Sequence, residues 1–374
     1  MRTGILLILS LVLVAGTAPG AGAQSVDLTV KDYGVAIGNA PRVNGIRINP
    51  LADRSVQRVN GINVTLWKPD GSPDGVVNGV SVGLVGFDAR RMAGIQAAVV
   101  GMNAAELWGL SIAGVGLEGR SMTGIMVAGI GAGTERVTGI SVAGIGLGGN
   151  AVRGLFVGGI GAGTDDLAGV SVAGIGFGAN RVRGLCASLV GVGADEIDGV
   201  VLAGLGAAAD RARGILIGGL GAAGESITGA AIGAVGIGAE QFRGLAIGGI
   251  GAGAESIVGV GIGGVGIGGE EVRGLMIGGV GVGGQHLSGA LIGGLGVGGE
   301  NVRGAAIAGL YLRAEETFRG FGTGALTRIE AQHGVTIGVL NIANELHGAQ
   351  IGLLNWAGNN GTFKLLPVLN LHRD

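Results

Sequence analysis

Glycine returns at every fifteenth residue from Gly79 to Gly304 without a miss, and this spacing constrains the chain more than any other feature. Numbering each unit from that glycine, a second glycine recurs at position eight from Gly86 to Gly296. The unit beginning at Gly139 reads GISVAGIGLGGNAVR, and the next, from Gly154, reads GLFVGGIGAGTDDLA. A unit this short cannot close a core by itself, so neighbouring units must stack. With 87 Gly in 374 residues, an ordinary helical domain is excluded, because each interior glycine costs a helix about 1 kcal/mol. Charged residues make up only 13%, and aliphatics are abundant, the opposite of a disordered chain. Collagen needs glycine at every third residue. The lone Cys186 cannot build a disulfide framework, and a net charge of −2 offers no basic surface for nucleic acid.

Bulky apolar residues fall at positions two, four, seven and fourteen, while position nine is apolar but variable: Leu147, Ala162, Phe177, Val192. Strict alternation along a strand would put two and seven on opposite faces. Corners at positions five and six, at ten (Gly148, Gly163, Gly178), and between fifteen and one resolve this, because glycine tolerates positive φ. The expected fold is therefore all-β: a three-sided β-solenoid with about 15 residues per coil, and positions two, four, seven, nine and fourteen inside. Position twelve is polar from Glu135 to Glu300 and predicts a wet, largely acidic side. Position three (Ser141, Phe156, Cys186, Met276, Leu291) is expected to point outward. Together with the bare glycines at eight, it would give flat, mildly apolar faces of the kind that mark contact sites.

A second period of thirty competes with this reading. Position fifteen is Arg in alternate units (Arg153, Arg183, Arg213, Arg243, Arg273, Arg303), with Thr138, Ala168, Asp198, Thr228, Val258 and Ser288 between them. An antiparallel up-and-down β-barrel of the outer membrane would place all the arginines at one rim. Asp165, Asp166, Asp195, Glu196 and Asp198 would then sit at the other. Against the barrel, neither strand face is polar enough to line a wet lumen, and aromatic girdles are missing at 3% aromatic residues. Apolar residues also recur at position fourteen, inside what would be a solvent turn. The solenoid is the favoured reading.

Residues 1–23 read as a secretory signal peptide: Arg2, then the apolar run Ile5 to Val14, then the small-residue cleavage site Ala21-Gly22-Ala23. The organisation that follows is 24–78 as N-terminal irregular repeats and cap, 79–310 as the regular glycine-rich repeats, and 311–374 as C-terminal irregular repeats and cap. Atypical end units are expected, since they must close the core against water.

Near the C-terminus, Gly334-Val335-Thr336-Ile337-Gly338-Val339-Leu340-Asn341 is followed by Gly348-Ala349-Gln350-Ile351-Gly352-Leu353-Leu354-Asn355, and the chain ends near Val368-Leu369-Asn370. This pattern resembles the surface-repeat-containing proteins of Gram-negative bacteria, whose units run Gly-Val-Gln-Ile-Gly-Leu-x-Asn. The match covers about residues 334–370, with weaker echoes at 43–66, and the central units place Gly where that family has Leu and Asn. The resemblance implies an exported protein of the periplasm, outer membrane or cell surface, and supplies no catalytic residues.

Other motifs carry little chemistry. Gly264-Val265-Gly266-Ile267-Gly268-Gly269 fits a dinucleotide fingerprint, but the pattern is a by-product of the repeat and lacks the following helix and acid. His333 and His347 each precede a unit-start glycine, with Glu345 nearby, and are read as solvated edge residues because spacing fixes no third metal ligand. The acidic file is read as a solubilising face, Cys186 as an apolar filler, and Ser141 and Ser171 as lacking a His or acid for nucleophilic work. Trp67, Trp108 and Trp356 are expected to pack at the ends of the array. No catalytic, cofactor-binding or metal residues are assigned, and no small-molecule substrate or cofactor is indicated. The expectation is a non-enzymatic structural or adhesive surface protein, with self-association or envelope contact through its Gly-rich faces. A channel-like outer-membrane protein is the alternative.

Overall fold

The computed structural model describes residues 26–50, 56–67, 74–361 and 363–372, so the expected signal peptide 1–23 lies outside the described residues. The chain forms two compact units, 1–169 and 170–374. In each, residues pair in parallel with the residue fifteen further on: Leu147 with Ala132 and Val152 with Val137 in the first, Ile197 with Ala212 and Val201 with Leu216 in the second. Parallel pairing at one-coil offset is a β-solenoid and not an up-and-down barrel, in which sequential strands would run antiparallel. All the regular structure among the described residues is strand.

Three interruptions divide each coil. The position-one glycines have φ between +103° and +151°. Positions six and seven form a bend between strands such as Gly131–Ala143 and Gly146–Gly158. The ladder skips position twelve, where Glu135 and Asn150 have no paired register. The second corner expected at position ten is thus displaced to twelve. Position one needs glycine twice over. Its φ lies where L side chains are strained, and a Cβ on Gly214 would fall inside the van der Waals envelope of the Gly199 carbonyl oxygen. The same contact links Gly34, Gly45, Gly61 and Gly79, and links Gly320, Gly334 and Gly348, so the irregular end coils share it. Position eight differs: a Cβ on Gly206 would meet nothing within 4 Å, and Tyr311 occupies the same position in its own coil.

The inward set is not the one expected. Positions three, five, nine and fourteen face the interior, while two, four and seven face outward. Phe156, Cys186, Met276 and Leu291, expected outside at position three, are fully buried, and Ser141 and Ser171 are buried with them. Ile145, Ile160 and Ile175, expected inside at position seven, are about half exposed. The reason is strand alternation: positions fourteen, three and five are separated by even steps through position one and share a face, which puts two and four on the other. In several coils the core residues also differ in size and compensate one another. Phe156 shares its coil with Ala162, Ser171 with Phe177, and Ala231 with Phe242. Gly261 leaves space that Met276 of the next coil occupies, its Sδ lying 2.8 Å from where a Cβ would be. Such complementary filling is what close packing demands.

The ends are more polar inside. Near the N-terminus, Arg47 is buried, donating from Nε to the Ala40 carbonyl at 3.0 Å and from Nη1 to Asn63 Oδ1 at 3.2 Å. Burial lowers its pKa to about 10. At the C-terminal end the coil shortens, Gly320 pairing with Gly334, and asparagine enters the interior. Thr327 donates to Asn341 Oδ1 at 2.8 Å, and Asn341 donates to Asn355 Oδ1 at 2.7 Å. Asn370 completes the run by donating to the Asn355 carbonyl at 3.1 Å. Antiparallel segments stand at both ends: Val26–Asp27 against Ala36 and Ile37, and Leu365–His372 against Gly348–Trp356. Each occupies an edge that would otherwise offer unpaired backbone groups.

Gly214→Ala is expected to destabilise the protein by more than about 2 kcal/mol. Gly206→Ala should stay within about 0.5 kcal/mol of the parent. Denaturant midpoints of the two variants check this, and equal losses would contradict the stacking account of position one.

Candidate functional site: the outer surface

The polar side of each coil carries positions twelve, thirteen and fifteen. Glu135, Asp195, Glu225, Glu240, Glu255 and Glu270 are exposed, as expected of position twelve. Arginines interleave with carboxylates across neighbouring coils, and this offsets the repulsion that a pure carboxylate ladder would carry. Arg181 Nε donates to Glu196 Oε2 at 3.0 Å, and Arg211 Nη2 to Glu196 Oε1 at 2.6 Å. The Arg181 hydrogen bond and then the charge of Arg211 hold the Glu196 carboxyl below the usual carboxylate range. This pairing is present above the ordinary glutamate pKa and is lost as pH falls through the depressed one. Arg120 with Glu135 and Arg213 with Asp198, each at 3.8 Å, repeat the arrangement with both partners exposed, so each contributes little to stability.

At position fifteen the irregular coils change residue. Asn78 donates to Asn60 at 2.8 Å, and Asn60 to Asn44 at 2.7 Å. At the other end, the His333 and His347 rings stack with centroids 4.7 Å apart, and His372 meets His347 edge-on at 6.2 Å. The histidines thus come together, with a third that spacing had not indicated because it returns on an antiparallel strand. Among the described residues no group of three or more His, Cys, Asp or Glu side chains is placed to hold a metal ion.

The remaining motifs are placed as follows. Gly266–Gly278 is a strand following the bend at Gly264, so no helix stands where a dinucleotide site needs one. Trp108 is not packed at an end of the array; it lies on the surface beneath the Arg91 guanidinium, 5.5 Å from the ring centroid. Trp67 is exposed, and Trp356 pairs with Leu365 of the final strand. The Cys186 thiol is buried, and desolvation pushes its pKa up to about 12.

The surface feature that spacing arguments missed is an aliphatic wall. Over the coils from Gly79 to Gly304, positions two, four and seven hold only Val, Ile, Leu or Ala, and all of these point outward. In the second unit, Ile175, Leu205, Leu220, Ile250, Val265 and Leu295 are each about half exposed. Next to the wall, positions eight and ten are bare: Gly133, Gly148, Gly178 and Gly193 face open space. The signal was present in the sequence as constancy. Positions two, four and seven never vary to polar residues, whereas positions three and nine range from Ser or Ala to Phe.

No protein-family model, curated protein or solved structure matches the chain.

Cys186 should resist maleimide or iodoacetamide in the folded protein at pH 8 and react fully after denaturation. A pKa raised from 9.0 to about 12 lowers the thiolate fraction about a thousandfold. Thiol titration with and without denaturant checks this, and rapid labelling of the folded chain would place position three outside.

Proposed function

We propose that the chain is an exported structural or adhesive element of the bacterial envelope that works by surface contact and not by catalysis. The observation that supports this reading is the aliphatic wall. Monomeric soluble proteins rarely leave contiguous apolar surface beyond a few hundred Å² uncovered, and larger patches mark interaction sites. A parallel ladder also satisfies the backbone groups beneath the wall, so it can meet an apolar partner without stranded donors or acceptors. The signal-peptide pattern at 1–23 and the resemblance of residues 334–370 to Gram-negative surface repeats agree with export. The stacked His333 and His347, the acidic file and the buried Cys186 offer no paired acid and base, and no activated nucleophile.

Expressed with its natural N-terminus in a Gram-negative host, the chain should lose residues 1–23 and fractionate with the envelope or the cell surface. N-terminal sequencing of the fractionated protein measures both. An intact Met1 on a chain confined to the cytoplasm would sink the reading.

A further inference from the structure

The wall of unit 170–374 is interrupted once at position four, at Ala187, where the coils on either side carry Val172 and Leu202. Beside the small Ala187 lies an apolar dent of about 300 Å³, bordered by Val172, Leu189, Leu202 and Ile217. In the same coil, position six, glycine in most coils, is Leu189, which stands out at 76% exposure. The bend hydrogen bond here differs from that of the next coil, a shift that also occurs at Ala234. The Leu189 amide donates to the Gly174 carbonyl at 3.1 Å, whereas Gly204 in the next coil donates to the position-five carbonyl of Ser188 at 3.0 Å. Leu189 does not fold down to fill the dent beside it, since its exposure is higher than that of any wall residue. Across the whole repeat, alanine occurs at position four only twice, at Ala97 and Ala187, and each time position six of that coil is large: Val99 and Leu189. A knob and a hole therefore sit side by side on one apolar face.

We propose that this wall is covered by a second copy of the chain, related by a two-fold axis parallel to the coil stack, with Leu189 of each copy seated over Ala187 of the other. An isologous interface requires that a surface complement itself, residue i meeting j while j meets i, and a knob next to its own hole satisfies this about an axis passing between them. That axis keeps the stacks parallel, so coil faces coil at the same spacing of about 4.8 Å and the aliphatic files interdigitate in register. The alternative axis, across the stack, would bring knob against knob and the arginine files at position fifteen against each other. Nine coils of about 4.8 Å and a flat run of positions two to five about 13 Å wide give about 560 Å² per copy, to which position seven adds at the bend, toward the roughly 800 Å² of a stable dimer. An anionic bilayer fits less well. Position twelve beside the rim carries the exposed carboxylates Asp195, Glu225, Glu240, Glu255 and Glu270, and two of the five rim arginines, Arg213 and Arg273, lie within 4 Å of Asp198 and Glu271 of their own chain. The proposal rests on the reading of the chain as a contact element and names its partner.

The test uses two substitutions that restore the repeat's usual residues and so leave the coil intact: Leu189→Gly, which removes the knob, and Ala187→Ile, which fills the hole. Sedimentation velocity on the purified chain should show a dimer. Either variant should weaken it about tenfold or more, with an unchanged β-sheet circular dichroism spectrum. Mixing L189C and A187C copies under mild oxidation should give a disulfide between copies. A monomer at every concentration, a dimer indifferent to both variants, or no cross-link would overturn the proposal. Flotation of a monomer with phosphatidylglycerol vesicles would also overturn it and assign the wall to lipid. None of these outcomes bears on whether the chain is exported, which fractionation decides separately.

Discussion

The contact on which the structure depends is between one position-one glycine and the carbonyl oxygen of the glycine one coil earlier. It leaves no room for a Cβ, and it demands a φ that L side chains resist. These two requirements fall on the same residue, so one atom's absence both turns the chain and lets the coils approach. The contact persists where everything else about the repeat changes. Gly45 meets Gly34 across eleven residues, Gly79 meets Gly61 across eighteen, and Gly348 meets Gly334 across fourteen. Coil length varies, but the spine does not.

Given that spine, the rest of the coil is a division of labour among three surfaces. The interior is narrow and is filled by residues whose sizes trade against one another, as Phe156 and Ala162 do. One side is wet, and some of its carboxylates meet arginines of neighbouring coils, as Glu196 meets Arg181 and Arg211. Another is aliphatic at every outward position. Strand alternation leaves positions two and four outside, and each aliphatic there stacks on its counterpart one coil away, as Leu155 on Ile140 and Val157 on Val142.

Period, parallel stacking and the corner at the position-one glycine were legible in the sequence because each is a backbone requirement that recurs unchanged, whereas the corner expected at position ten falls at twelve. Positions nine and fourteen were legible as inward too, but the choice of two, four and seven over three and five was not. The usual rule equates constant aliphatic positions with core. Here the constant aliphatics, such as Ile145 and Ile160, are outside, and the variable positions, holding Ser141 in one coil and Phe156 in the next, are inside. Position fourteen stays apolar and, Ala212 apart, large, but position three ranges from Gly261 to Phe156, so its inward direction leaves no constant signature. The clustering of His372 with His333 and His347 was illegible for a different reason, because the last strand reverses direction and leaves the repeat.

Complementary filling within each coil has a consequence for how such a chain can change. A point substitution at Phe177 or Phe242 leaves a void for its own coil and the adjoining ones to absorb, as Met276 fills the space at Gly261, so interior positions are tied to their immediate companions. A whole coil, by contrast, brings its own companions and its own spine glycine, and both end caps are built from residues outside the regular array. The array can therefore grow or shrink by fifteen residues at a time without disturbing either terminus, and length, more than interior sequence, is the variable that selection can move freely.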